Sequence, residues 1–250
     1  YEEISEFDEL KKMLLSKIEA MHKYQDMVFF DEAIYNVFFL RRIIYKNCGG
    51  HGLLIGLGSS GKTSYVKIAS DLCGYKTVQF NGAKDSNGAV WLDHIKKVIR
   101  EAGGFNKPIS LVVKERDISN PLVIEHIHYL LTIGMIPNLY TPQDWEEMKT
   151  NSGNASVQTM TTEQYINEFK KNLRDNVRIF MTFSPLGEKL KTFVRKYPSI
   201  IDHTTSISFT DWPETALKEV ANKFIDTENL IIEKKKHEKK KEAQKEEKHE

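Results

Sequence analysis

Residues 56 to 63 read GLGSSGKT, the spacing G-x-x-x-x-G-K-[ST] in full. That order of residue types suits a polyphosphate. Gly56, Gly58 and Gly61 allow backbone angles and close approaches that a Cβ would prevent. Lys62 brings a positive charge to the outer phosphates, and the Thr63 hydroxyl is a ligand for Mg²⁺. Leu57, Ser59, Ser60 and Ser64 complete the binding segment. The apolar run LLI precedes the loop, and SYVKIASDL follows with helical periodicity. The loop therefore joins a strand to a helix N-terminus, where free amides and the helix dipole attract an anion. ATP or ADP with Mg²⁺ is the expected ligand. No G-x-S-x-G turn surrounds Ser60, so it is not read as a nucleophile.

A phosphate loop that hydrolyses nucleotide also needs carboxylates at the end of a neighbouring strand, to hold Mg²⁺ and to orient the attacking water. The candidate is SLVVKERDI, residues 110 to 118. Lys114 stands where the magnesium-holding Asp is expected, and Glu115 where the water-activating acid is expected; Asp117 is the other acid close by. An ammonium group beside Mg²⁺ repels it, so the pattern supports nucleotide binding more than turnover.

The elements that must position these residues alternate along the chain. Helical spacing covers residues 1 to 24 and 31 to 46, and the glycines at 49, 50 and 52 stop the second helix. Strands are expected at 76 to 80, 108 to 113, 176 to 183 and 204 to 209. Helices are expected at 88 to 102, 121 to 133, 161 to 173, 185 to 196 and 213 to 225. Residues 141 to 160, with Pro142, Gly153 and many polar side chains, read as a loop or insertion. Alternation of this kind implies a parallel α/β sheet with helices on both faces. His126 and His128 lie two apart on one helix and face different sides, which argues against a shared metal. Trp91, Trp145 and Trp212 read as packing residues, Trp212 bracing the start of the helix after Pro213.

Composition narrows the class. The 250 residues carry 36 Lys+Arg against 35 Asp+Glu, a net charge of +1, with 40% hydrophobic and 10% aromatic residues. That supports a core and excludes both wholesale disorder and a broadly basic nucleic-acid binder. The charge is uneven: EKKKHEKKKEAQKEEKHE at 233 to 250 holds eight Lys and six Glu, with no apolar seam for a coiled coil. Cys48 and Cys73 make no disulfide framework and no zinc motif. No apolar run approaches the ~20 residues of a membrane span. The start at Tyr1 reads as a fragment of a longer chain.

With these motifs in order, the chain resembles an AAA+ module of a dynein heavy chain, specifically the fourth of the motor ring and of axonemal type. The resemblance runs from about residue 27 to 226 and rests on GHGLLIGLGSSGKTSYVKIAS, on Gly134-Met135-Ile136-Pro137-Asn138-Leu139-Tyr140, and on SPLG followed by RKYPSI and DWPETAL. It implies a P-loop AAA+ fold made of an N-terminal helical linker (1–30), an α/β domain (31–212), the start of a helical small subdomain (213–232) and the charged tail (233–250). It also implies that Ser184 occupies the sensor position, that Arg195 is an arginine finger reaching a neighbouring module, and that Met27 to Phe30 contact the adenine. Phe193 stands where many members carry a second Arg. Implied partners are the neighbouring modules of the same heavy chain, dynein intermediate and light chains, and a microtubule contacted indirectly through a stalk that this chain does not contain. Neither nucleic acid nor membrane is implied. The implied location is the cytoplasm and cytoskeleton, in the axoneme of a cilium or flagellum. Two other readings stay open at this stage. A stand-alone P-loop kinase would need a lid with several arginines, and the chain has seven, none clustered there. A scaffold would carry a vestigial site.

Overall fold

The computed structural model describes residues 7–24, 27–45, 50–82, 88–152, 155–186 and 188–225. The Lys/Glu tail and residues 226–232 lie outside them. The chain divides into two compact units, Tyr1–Ile34 with Trp212–Glu250, and Tyr35–Asp211.

In the first unit, α1 (Phe7–Ala20) buries Leu14 and Ile18 on one face, as its periodicity requires. The first turn of α2 (Asp31–Tyr45) carries Asp31 and Glu32, favourable charges at a helix N-terminus. Lys11 pairs with Asp31 at 2.6 Å. A helix at 214–225 supplies Lys223, whose Nζ donates to the Met27 carbonyl at 3.0 Å. The Trp212 ring meets Phe30 edge-on at 5.4 Å.

The second unit is built on five parallel strands: β1 (Gly52–Gly56), β2 (Lys76–Gln79), β3 (Ile109–Lys114), β4 (Val177–Phe183) and β5 (Thr205–Phe209). They are ordered β2-β3-β4-β1-β5. Parallel strands are covered on both faces and therefore read as nearly unbroken apolar runs. β4 is buried along all seven residues. Its alternation still separates the two faces. Ile179, Met181 and Phe183 join Leu111 and Val113 of β3 in the main core with Trp91, Ile95, Ile127 and Phe169. The opposite face meets α3 (Lys62–Leu72), where Ser70 Oγ donates to Ser110 Oγ at 2.8 Å. On that face the Arg178 guanidinium is buried, Nε donating to the Ile44 carbonyl at 3.0 Å and Nη1 to those of Arg174 and Val177 at 3.1 Å. Three carbonyl acceptors satisfy a charge that would otherwise be costly to bury.

The main-core face is covered by α4 (Ala89–Ile99), α5 (Pro121–Thr132) and α8 (Thr162–Asn176). α4 runs into a π-turn, Arg100–Gly104, where a Cβ on Gly103 would stand 2.6 Å from the Phe169 ring. The segment expected as a loop at 141 to 160 is instead helical, with α6 (Pro142–Thr150) and the single turn α7 (Ala155–Gln158). Thr141 and Asp144 form a reciprocal capping box with Pro142 in the first turn. Trp145 and Met148, three residues apart, are the buried pair that holds α6 to the core. Trp145 meets Phe169 edge-on at 5.0 Å and Tyr140 at 5.1 Å. Polar residues on the outer face masked this short apolar period. After β4 come α9 (Glu188–Lys196) and α10 (Pro198–Asp202), α9 starting three residues later than its periodicity suggests. His126 and His128 do diverge: Trp91 Nε1 donates to His126 Nδ1 at 3.0 Å, whereas His128 Nδ1 pairs with Ser199 Oγ at 2.7 Å.

His51, just before β1, accepts the Ile179 amide on Nδ1 at 3.0 Å, and its carbonyl accepts the Thr205 amide at 2.8 Å. Burial, reinforced by the Arg178 charge, pushes its pKa down to about 3. Burial also lowers that of His126. Below the ordinary histidine pKa of about 6.5 the unfolded chain therefore binds more protons than the folded one. The stability due to neutral His51 is complete above that pH and drains away as pH falls toward about 3. Chemical unfolding at stepped pH is expected to show a decline below about pH 6.5, to which His51 contributes up to about 1.4 kcal/mol per pH unit. His51→Asn, whose carbonyl still accepts the Ile179 amide, should flatten that slope. An equally steep slope in the variant would remove His51 as its source.

Candidate functional site in the cleft beyond β1, β3 and β4

β1 is buried at every residue but the half-buried Ile55, then the chain turns through Leu57–Gly61 into α3. The turn is held from within. Ser60 Oγ donates to the Leu57 carbonyl at 3.0 Å, and the Tyr65 amide donates to the Gly61 carbonyl at 2.9 Å, opening the helix. The three glycines are not equivalent. Gly61 has φ +78, and a Cβ there would lie 2.8 Å from the Tyr65 ring. Gly56 lacks a positive φ, but its Cβ would lie 2.8 Å from that of Phe209. Gly58 needs neither special angles nor packing space, since a Cβ would meet nothing within 4 Å. The second left-handed residue of the turn is Ser59, at φ 64. Tyr65 stacks on Phe209 at 5.9 Å, which seats the loop on the end of β5.

Lys62 is the first residue of α3, and its side chain curls back over the loop. Nζ donates to the carbonyls of Gly56 at 2.8 Å and Leu57 at 2.5 Å, and to Ser60 Oγ at 3.0 Å. Partial burial lowers its pKa, opposed by the nearby Glu115 carboxylate. The first amides of α3 have no partner four residues back, so the N-terminus is a ready anion seat.

The cleft holds about 520 Å³ and is lined by Gly56, Gly58 and Ser59–Ser64 on one side. Lys114, Glu115 and Arg116 line another side, and Thr182, Phe183 and Ser184 lie between. Of the expected binding segment, Leu57 is not in the lining, and its carbonyl instead takes the Lys62 and Ser60 bonds. Pairing accounts for the arrangement. Thr182 sits opposite Leu54 of β1 and opposite Lys114 of β3, so all three strand ends converge. Glu115 and Ser184 meet directly, the Ser184 amide donating to Glu115 Oε2 at 2.8 Å.

Asp117 turns away from the cleft. It is buried, and Oδ1 accepts the Gly82 amide at 3.0 Å. Arg195 is exposed on α9 and is not part of this lining. Phe193 is a core residue, 5.0 Å from the Phe183 ring. Met27–Phe30 belong to the other compact unit. Arg116 and Thr182 were not foreseen as lining residues, although Arg116 directly follows the strand-end acid and Thr182 lies one residue inside the apolar run's end.

The residues suit a nucleotide's phosphates better than they suit Mg²⁺. Thr63 offers a hydroxyl, but Lys114 occupies the strand-end position that normally gives a second oxygen ligand. The one carboxylate in the lining, Glu115, has an oxygen engaged by Ser184. Among the described residues no cluster of three His, Cys, Asp or Glu side chains could hold a metal, and no helix is long and apolar enough to cross a membrane.

Residues 25–248 match the family described as P-loop containing dynein motor region D4. The chain is 30% identical over 234 residues to human dynein axonemal heavy chain 2, covering 89% of this chain and 5% of that one. It is 31% identical over 221 residues to mouse dynein axonemal heavy chain 8, covering 85% of this chain and 5% of the relative. Human dynein axonemal heavy chain 1 is 30% identical over 207 residues, again 5% of its length. The chain thus spans about one-twentieth of the relatives it matches. The parallel sheet, the strand–loop–helix at Gly56–Lys62 and this match over most of the residues lead to one conclusion: the chain is a P-loop AAA+ domain and belongs to the dynein motor region D4 family.

Proposed function

We propose that the chain is a nucleotide-binding AAA+ module of an axonemal dynein motor, taking ATP or ADP in the cleft at Gly56–Ser64. The observation that carries this reading is the loop itself. Gly61 turns left-handed into the N-terminus of α3, and Lys62 lies across the loop mouth with its ammonium group already beside the anion seat. Lys62 and the first amides of α3 hold the phosphates. Glu115 orients water if hydrolysis occurs, and Ser184 is its positioning residue through the 2.8 Å bond.

The module's role is regulatory, with weak or no hydrolysis of its own, because the strand end carries Lys114 in place of an acid. It couples nucleotide state to the neighbouring modules of the same heavy chain, toward which exposed Arg195 serves as a finger. Through the rest of that chain it acts with dynein intermediate and light chains and, indirectly, with a microtubule. Its place is the cytoskeleton of a ciliary or flagellar axoneme, a reading supported by the axonemal names of its relatives. The linker at 1–30 and the small subdomain beginning at 213 are part of the same proposal.

Calorimetric titration with ATP and ADP tests it. The parent should bind saturably, and Lys62→Ala should weaken binding by at least about tenfold, the loss of a charged hydrogen bond. A Lys62→Ala variant that binds like the parent would sink the phosphate-loop assignment. Glu115→Gln should keep the parent's affinity, while any slow ATP turnover by the parent should vanish in it. Turnover that survives Glu115→Gln would show that another group activates the water.

A further inference from the structure

Resting on the nucleotide reading above, we propose that this site takes the free nucleotide, without a divalent cation, and that Lys114 is the fixed countercharge in its place. A phosphate-loop site ordinarily holds Mg²⁺ between the loop Ser/Thr and an acid at the end of a neighbouring strand. Here Thr63 is present, but the strand end is Lys114. The pairing of Lys114 with Thr182, and of Thr182 with Leu54, sets Lys114 one strand away from the loop, on the rim of the same cleft.

The nearby acids do not substitute. Glu115 gives one oxygen to the Ser184 amide, and Asp117 is buried outside the lining against the Gly82 amide. Two cations, Lys62 and Lys114, face one carboxylate in the lining, Glu115, while the third, Arg116, is engaged by Asp117 at 3.8 Å and Asn81 at 3.4 Å. The cleft is therefore net positive before any metal enters, and a Mg²⁺ arriving with the nucleotide meets ammonium repulsion with too few oxygen ligands to offset it. The free nucleotide is two charges more negative than its Mg²⁺ complex and is the better electrostatic match. Mg²⁺ then acts as a competitor that sequesters the ligand. Because a triphosphate chelates Mg²⁺ more tightly than a diphosphate, the site favours ADP whenever Mg²⁺ is in excess.

The test is calorimetric titration of the 250-residue chain with ADP, once in EDTA and once in excess Mg²⁺. The expected result is an affinity tighter in EDTA than in excess Mg²⁺. An affinity in EDTA equal to or weaker than that in Mg²⁺ would overturn the proposal. Lys114→Met should weaken ADP binding in EDTA by about tenfold; unchanged affinity would remove Lys114 as the countercharge. Lys114→Asp should reverse the metal dependence, binding ADP well only with Mg²⁺. Should circular dichroism find that variant unfolded, the EDTA comparison and Lys114→Met still decide the matter. Absence of saturable binding in both buffers is a different failure, that of the nucleotide reading itself.

Discussion

Strand β4 pairs in parallel with β1 on one side and β3 on the other, and the cleft exists because those three strands end together. Parallel pairing sends every strand's C-terminal end to the same edge, so residues from distant parts of the sequence converge there without long side chains. Gly56, Lys114 and Phe183 are such ends, with Ser184 directly after the last. The register cannot slip, because a one-residue shift of β4 would move Ile179, Met181 and Phe183 out of the main core and put Arg178 and Phe180 in their place. Arg178 locks it further, bonded to backbone carbonyls of α2 and α8 as well as its own strand. His51 adds a tie at the opposite edge, joining the start of β1 to β4 and β5.

Electrostatics at the cleft follow from that convergence. Lys62 gives up part of its hydration to lie across the loop, and three oxygen acceptors offset the loss. The loop is thereby pre-organised, with its cation already near the seat that a phosphate would take. Glu115 is near enough to stabilise the Lys62 charge and is itself anchored by Ser184. The strand-end acid is thus tied to the residue after β4 by a hydrogen bond and to the loop by charge.

Much of this was legible in the residues. The loop motif is a local pattern, and the strands are apolar runs bounded by turn residues, so both survive reading without coordinates. Lys114 could be seen as an anomaly because the strand before it ends so clearly. What could not be read was set by distant contacts. α6 depends on Trp145 packing against Phe169 and Tyr140, a non-local aromatic cluster that the polar surroundings of Trp145 conceal. The different duties of Gly56 and Gly61 depend on Phe209 and Tyr65, of which Phe209 lies far along the chain. The Ser184–Glu115 bond uses a backbone amide, and a backbone donor leaves no mark on residue type. Phe193, conspicuous as a departure from an arginine, is explained by burial against Phe183.

The end of β4 and the residue after it do three things with three consecutive residues. Thr182 faces the cleft between the loop and Lys114, Phe183 reaches Phe193 on α9, and the Ser184 amide holds Glu115. α9 is therefore pinned to the same strand end that orients the strand-end carboxylate, and Arg195 stands exposed two residues past the pin. The Phe193–Phe183 contact, 5.0 Å between ring centroids, ties the position of α9 to that of the strand end, because close-packed side chains leave little free volume between them. The path from α9 to the carboxylate in the cleft is one ring contact and one hydrogen bond long: Phe193 is inside the helix, and Ser184 directly follows the strand.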